Sequence, residues 1–363
     1  MKKLLIPLFF ALLAACPAWA APSISSVSGT ISNGQSITIS GSGFGSGPNV
    51  VIFDDFEKGS NGNTIASGAA SAQVGGWSLV EGTPKYSNSA KVSGSLAFRA
   101  DMSLGWMQRV TASLPTNTTK YFYSYWVYMP ATDAWPGAGD SGGINWKFIW
   151  FTMDADLGGG FDHPVMLSEP YATGYSGFNC SGNPPTAVSA WLDGFNMSKG
   201  AWKRVWGYTD IATSGTIQLW DLTAGGVHTS SNQSLNTSSA TYVNIVKLNG
   251  YGRQTSNCHP MFDDVYVATG DNARARVEIG NAATYTSCTN LTICTPSAWS
   301  GTSITATVRQ GGFADGATAY LYVFDATGTA NTTGKEITFG SMSGGSSMVT
   351  ATGGTMSGGG TLR

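Results

Sequence analysis

PSISSVSGTISNGQSITISGSGFGSGPNV, residues 22–50, decides how the rest of the chain is read. Ile24, Val27, Ile37 and Ile39 fall in short alternating runs broken by Gly and Asn, so the stretch holds two strands. Two strands do not bury a core by themselves, so their partners lie elsewhere. Matching runs occur at the other end: ARVEIG, LTICTP, SITATV, TAYLYVFD and EITFG, all within residues 273–340. The expectation is one sandwich split into 22–50 and 273–340, with residues 51–272 inserted as a second domain. Insertion at a loop is tolerated when the guest's own ends lie close together. The guest opens with FDDFEKG and ends with FDDVYV, which fits that requirement.

Composition agrees with an all-β chain. Of 363 residues, 48 are Gly and only 11% are charged, and no apolar repeat near 3.6 is sustained, which argues for strands and tight turns over helices. The formal net charge is −2 with no basic patch, so a nucleic-acid partner is excluded.

The ordered strand set of the outer segments, with ITISGSGFG inside it, resembles an IPT/TIG immunoglobulin-like domain. Between the motifs of the insert lie SLAFRA, YFYSYWVYM, WKFIWF, WKRVWGY, IQLWDL and VNIVKLNGYGR. Together with the early FE, Gly76-Trp77 and the closing DDV, they resemble concanavalin-like and carbohydrate-binding-module jelly rolls. The fold expected is therefore an all-β jelly-roll sandwich (51–272) inserted into an immunoglobulin-like IPT/TIG sandwich, followed by a flexible Gly/Ser-rich tail at 341–363.

The first 20 residues read as a signal peptide: Lys2 and Lys3, an apolar run, then Ala18-Trp19-Ala20. The apolar run is too short for a membrane span. Leu13-Ala14-Ala15-Cys16 also resembles a lipoprotein box, which would place a lipid anchor on Cys16. Both readings give export: secreted, extracellular or periplasmic in one case, an outer-surface lipoprotein in the other. Of 5 Cys, four remain outside the leader, an even number that implies disulfides in an exported chain. Cys288–Cys294 closes a short loop and Cys180–Cys258 ties two distant ones; other pairings of the four stay open. A zinc site is the weaker reading, because no C-x-x-C occurs.

Gly139-Asp140-Ser141-Gly142-Gly143 imitates serine protease and esterase motifs. No His precedes it and a strand-like run follows it, so it reads as a Gly-rich turn and those activities are disfavoured. Asp54, Asp55, Glu57, Asp263 and Asp264 converge if the insert's first and last strands pair. The carbohydrate-binding-module resemblance implies a structural calcium there, held by Glu57, Asp263 and Asp55. No organic cofactor is expected.

Period-two alternation puts Lys247, Asn249, Tyr251 and Arg253 on one strand face, and Trp202, Arg204, Trp206 and Tyr208 on another. The second group reads first as core. Lys147 is in register with Ile149 and Phe151. Aromatic rings stack on sugars while Arg, Asn and Lys donate to hydroxyls and carboxylates. The function expected is therefore binding of a polysaccharide or cell-surface glycan on the concave face of the jelly roll, through Lys247, Asn249, Tyr251, Arg253, Lys147, Trp202 and Arg204. Whether the chain is an enzyme stays open. Glu is scarce, so a two-carboxylate glycosidase is less favoured than a polysaccharide lyase. In that alternative Tyr251 is the base or acid, Asn249 and Arg253 neutralise a uronate, and His163 is a second candidate base. A structural adhesin or matrix protein is the third class.

Overall fold

The computed structural model describes residues 20–139, 141, 143–153, 161–168, 176–178, 181–182, 197–221, 227–235, 241–340 and 342–343. The leader and Cys16 expectations, and Cys180, lie outside these. Among the described residues there is no α-helix, only two single 3-10 turns, so no helix is long and apolar enough to cross a membrane.

Two sheets form the larger sandwich. The front sheet runs Ser176–Phe178, Phe161–Ser168, Asn145–Thr152, Val243–Gly252, Arg109–Thr118, Leu79–Glu81, with Ser181–Gly182 also on Phe161–Ser168. The back sheet runs Val227–Gln233, Gly215–Asp221, Lys203–Asp210, Lys120–Tyr128, Met261–Thr269, Ala97–Arg99, Lys85–Ser87. Asn49–Asp54 pairs antiparallel with Met261–Thr269, Asp54 lying opposite Val265. The first and last strands of residues 49–269 are thus neighbours.

Alternation along Lys120–Tyr128 shows how the layers pack. Tyr121, Tyr123, Tyr125 and Val127 enter the core between the sheets, where they meet Val110, Ala112, Phe151, Val246 and Leu248. Each large apolar side chain buried this way contributes about 1.5–3 kcal/mol. The intervening Phe122 points the other way and is buried as well. It packs with Trp206, Tyr208, Trp220 and Tyr266 against Leu291, Ile293, Tyr322 and Phe324. The back sheet is therefore covered on its outer face by the smaller sandwich.

The smaller sandwich is one sheet in the order Lys335–Thr338, Thr318–Phe324, Arg276–Gly280, Leu291–Trp299, Ser303–Thr307, Ser36–Ser42, Ser23–Thr30, Met342–Ser343. Its halves enclose one core, in which Ile37 and Ile39 meet Val277, Ile279, Ile304 and Leu321. Leu291–Trp299 joins the halves. Leu291 to Cys294 pair with Arg276–Gly280, and from Thr295 onward the strand pairs with Ser303–Thr307. Pro296, which has no N–H to donate, stands at that change of partner. The N-terminal strands close this sheet by pairing Ile37 with Ala306 and Ile39 with Ile304.

Two sequence expectations are corrected here. Cys288 and Cys294 are free thiols. Along Leu291–Trp299 alternate residues face opposite ways: Cys294 enters the smaller sandwich's core, whereas Cys288 lies on the Ile293 side, in the cluster between the sandwiches. Cys258 is also a buried free thiol, and burial pushes its pKa up to about 12. Met342–Ser343 pairs with Gly29 and Thr30, and the rest of the expected tail lies outside the described residues. Ser141 is exposed in a turn leading into Asn145–Thr152.

Candidate functional site

Val243–Gly252 lies between Asn145–Thr152 and Arg109–Thr118 in the front sheet. Val246 and Leu248 enter the core, so Lys247 projects to the outer face. Simple alternation would place Asn249 beside it. Instead Asn249 adopts φ 51, in the left-handed region that Asn tolerates better than most residues. The pairing jumps from Leu248 opposite Ile149 to Tyr251 opposite Lys147. Asn249 is fully buried. Trp146 Nε1 donates to its Oδ1 at 2.8 Å, and its Nδ2 donates to the Gln108 carbonyl at 2.7 Å. Asn249 is therefore a core residue, not a ligand or a partner for a uronate. The following residue has to be Gly, because a Cβ at Gly250 would lie 2.6 Å from Trp150 Cβ.

A bulge in the neighbouring strand moves Lys147. Val165 pairs with Ile149 and Met166 with Lys147, which leaves Phe148 as an extra residue. Phe148 and Ile149 both enter the core, and Lys147 turns to the outer face. It is not in register with Ile149 and Phe151 as alternation suggests.

The two irregularities bring four side chains together. Lys147 Nζ sits 4.6 Å from the Tyr251 ring centroid and 5.6 Å from that of Trp150. Lys247 Nζ sits 5.4 Å from the same Trp150 ring. Trp150 Nε1 is buried without a hydrogen-bond partner. Trp106, which the sequence reading passed over, meets Tyr251 edge-on at 5.8 Å and is 51% exposed. Buried Arg109 pairs with Glu81 and donates to the Gly250 carbonyl at 2.8 Å, which braces the bulge. Arg253 leaves the strand at the end of this face. Its backbone N–H donates to the Asn145 carbonyl at 3.1 Å, and its side chain packs on Gly137. His163 pairs through its backbone with Phe151, and its side chain lies outside the described residues. Of these side chains Trp106 is exposed and Lys147 and Tyr251 are partly exposed, so one ammonium group and open aromatic surface face a chain laid across the sheet, whereas Lys247 and Trp150 are buried.

Trp202 and Arg204 belong elsewhere. Arg204 lies on the outer face of the back sheet, opposite Trp126, and is buried. Its Nη1 donates to Glu278 Oε2 of the smaller sandwich at 2.8 Å. Glu278 also pairs with Arg276. These two guanidinium groups hold its carboxyl below the usual range despite burial. Trp206 and Tyr208 lie in the cluster between the sandwiches, not in the core between the sheets. Trp202 packs on Tyr128 at 5.2 Å. The two polar-aromatic stripes read from the sequence thus sit on opposite sheets.

The junction carboxylates do converge. Asp263 accepts backbone N–H bonds from Val92, Ser93 and Asp264. Glu57 Oε1 accepts from Ser95 and Leu96, each at 2.7 Å. Asp55 accepts from the Glu57 N–H and lies 3.8 Å from Arg309. Burial raises Asp54 and Asp264 to about 7, and burial with Asp264 alongside pushes Asp263 well up. Among the described residues, no three Asp, Glu, His or Cys side chains are grouped as metal ligands. What a hard cation would relieve is narrower: the Asp263–Asp264 repulsion, and Asp264 Oδ2, which is buried without a partner.

No family model matches the sequence, and no curated protein matches it. Among solved structures the chain is similar to an endo-β-1,4-glucuronan lyase from the fungus Trichoderma reesei, with 14% identity, a TM-score of 0.40, and 58% of this chain and 96% of that chain covered. It is also similar to the alginate lyase Aly36B, with 11% identity, a TM-score of 0.42, and coverages of 61% and 97%. A third is domain 4 of AbnA, a GH43 extracellular arabinanase from Geobacillus stearothermophilus, with 13% identity, a TM-score of 0.34, and coverages of 69% and 94%.

Proposed function

We propose that the outer face of the front sheet binds a polysaccharide that carries carboxylates, outside the cytoplasm, with the smaller sandwich as an IPT/TIG-type mount. The observation that carries this is the convergence of Lys147, Lys247, Trp150, Tyr251 and Trp106 on one face. Ammonium groups over rings are held in place before a ligand arrives, each contact contributing about 0.5–2 kcal/mol. Charge-assisted bonds to uronate carboxylates then select acidic over neutral chains. Exposed Trp106 and partly exposed Tyr251 supply stacking surface. The test is affinity for polyuronates and neutral glucans, measured on the wild-type chain and on Lys147→Ala and Tyr251→Ala. Loss of polyuronate binding with an unchanged Tm supports the face. Undiminished binding in both variants removes it.

The second reading is β-elimination on the same face. It is favoured by the Lys147 ammonium 4.6 Å from the Tyr251 ring, a cation beside the candidate proton acceptor. Arg253 remains as the group for the uronate carboxylate, while Asn249 no longer serves. Growth of the ultraviolet band of an unsaturated uronate during incubation with polyuronate establishes a lyase; binding with no such band leaves a binding module. Capture of a protein with no glycan bound turns the assignment to an adhesin.

Calcium at the junction is kept as a structural proposal, supported by the unpartnered Asp264 oxygen. Of the expected ligands, Glu57 and Asp263 already accept backbone N–H bonds and are not grouped with Asp55 as metal ligands, so Asp264 Oδ2, with backbone carbonyls, is the oxygen left to hold it. A Tm that falls with chelator and returns with calcium supports it; an unchanged Tm removes it.

A further inference from the structure

The contact between the two sandwiches is not completely filled. A cavity of about 230 Å³ remains between Phe122, Trp206 and Gln218 of the back sheet and Arg274, Tyr285 and Phe324 on the other side. It opens beside Val227, which is 46% exposed. Its polar groups are unevenly matched. Arg204 and Arg276 both pair with Glu278. Arg274 has no carboxylate within salt-bridge distance among the described residues. Its guanidinium stacks 4.5 Å from the Tyr208 ring centroid and reaches Gln218 Oε1 at 3.4 Å. Arg274 Nε and Trp206 Nε1 are both buried without a hydrogen-bond partner. Two buried donors at the cavity are thus left with nothing to accept from them. A buried donor without a partner is costly. Burial accordingly lowers the Arg274 pKa.

We propose that this cavity binds a carboxylate carried on a single six-membered ring, of the size of one uronic acid residue. The volume lies below that of cavities that take drug-sized ligands, which is why one ring is assigned and not a chain. The carboxylate pairs with Arg274, Trp206 Nε1 donates to an oxygen of the ligand, and the ring packs beside Phe122 and Phe324, on which the Arg276 guanidinium stacks at 4.6 and 3.5 Å. The site is on the sheet opposite Lys147 and Tyr251, so it stands or falls separately from the front face.

Calorimetric titration of the full chain with glucuronate, benzoate and glucose tests this. Expected is one-site binding of an acid and none of glucose. Binding weakens about tenfold or more in Arg274→Gln, the loss of one charge-assisted bond, whereas polyuronate binding by the front face is unchanged in that variant. Trp206→Phe removes the indole N–H together with part of the ring system, and it gives the same direction of change if Arg274→Gln lowers the Tm. Preference for glucuronate identifies a sugar acid and preference for benzoate an aromatic acid, and each supports the site. No binding of either acid to the folded wild-type chain overturns the proposal, as does equal affinity in the folded Arg274→Gln and Trp206→Phe variants.

Discussion

Asn249 and Tyr251 stand two positions apart and do different work. Asn249 holds Trp146 and the Gln108 carbonyl from inside the sandwich, in a backbone conformation with φ 51. Asn249→Ala leaves that N–H and that carbonyl buried and unpaired and places Ala in the left-handed region. A loss of about 2–4 kcal/mol is expected in urea unfolding, with polysaccharide affinity of the folded protein retained. Trp106→Ala should do the reverse, leaving the urea midpoint in place because the ring is half exposed, and weakening polyuronate binding by roughly tenfold. Period-two alternation read Lys247 and Tyr251 onto one face because it holds at both. It misplaced Asn249 and Lys147 because a bulge inserts a residue and reverses parity. The Asn-Gly pair at 249–250 was the available signal, since both residues favour positive φ in turns and bulges.

Strands were more legible than sites. The FDD motifs at each end of the insert do lie on paired strands, Asn49–Asp54 and Met261–Thr269. The use of their carboxylates was not legible, because it depends on the loop at Val92–Leu96 turning its N–H groups toward Glu57 and Asp263. Their titration gives a prediction at this scale. Asp54 and Asp264 have folded pKa values of about 7, above the 3.8 of a free Asp. The folded state therefore binds more protons than the unfolded state between those values. Stability gained by protonation is complete below 3.8 and is lost as pH rises through about 7. In chelator, the Tm should rise as pH falls from about 8 to 5. With calcium bound at Asp264 that carboxylate stays ionised, and its share of the rise should vanish. A Tm that falls with acid in chelator contradicts the assignment.

At the scale of the molecule, the back sheet joins two bodies. Its inner face builds the jelly-roll core and its outer face meets the smaller sandwich through Phe122, Trp206 and Tyr266. Arg204, Glu278 and Arg276 form the polar centre of that contact. Glu278→Gln leaves two buried guanidinium groups without a charge partner. A loss of about 3–5 kcal/mol is expected, and calorimetry should show the single transition lowered or divided in two. Arg204 could not be assigned from sequence, because its partner lies 74 positions away in the other sandwich. The front sheet carries the functional claim. Polyuronate affinity of the wild-type chain and of Lys147→Ala/Tyr251→Ala, at matched Tm and two salt concentrations, tests it most directly. The account predicts binding that weakens with salt in the wild type and is lost in the double variant. Equal, salt-insensitive binding by both chains would contradict it.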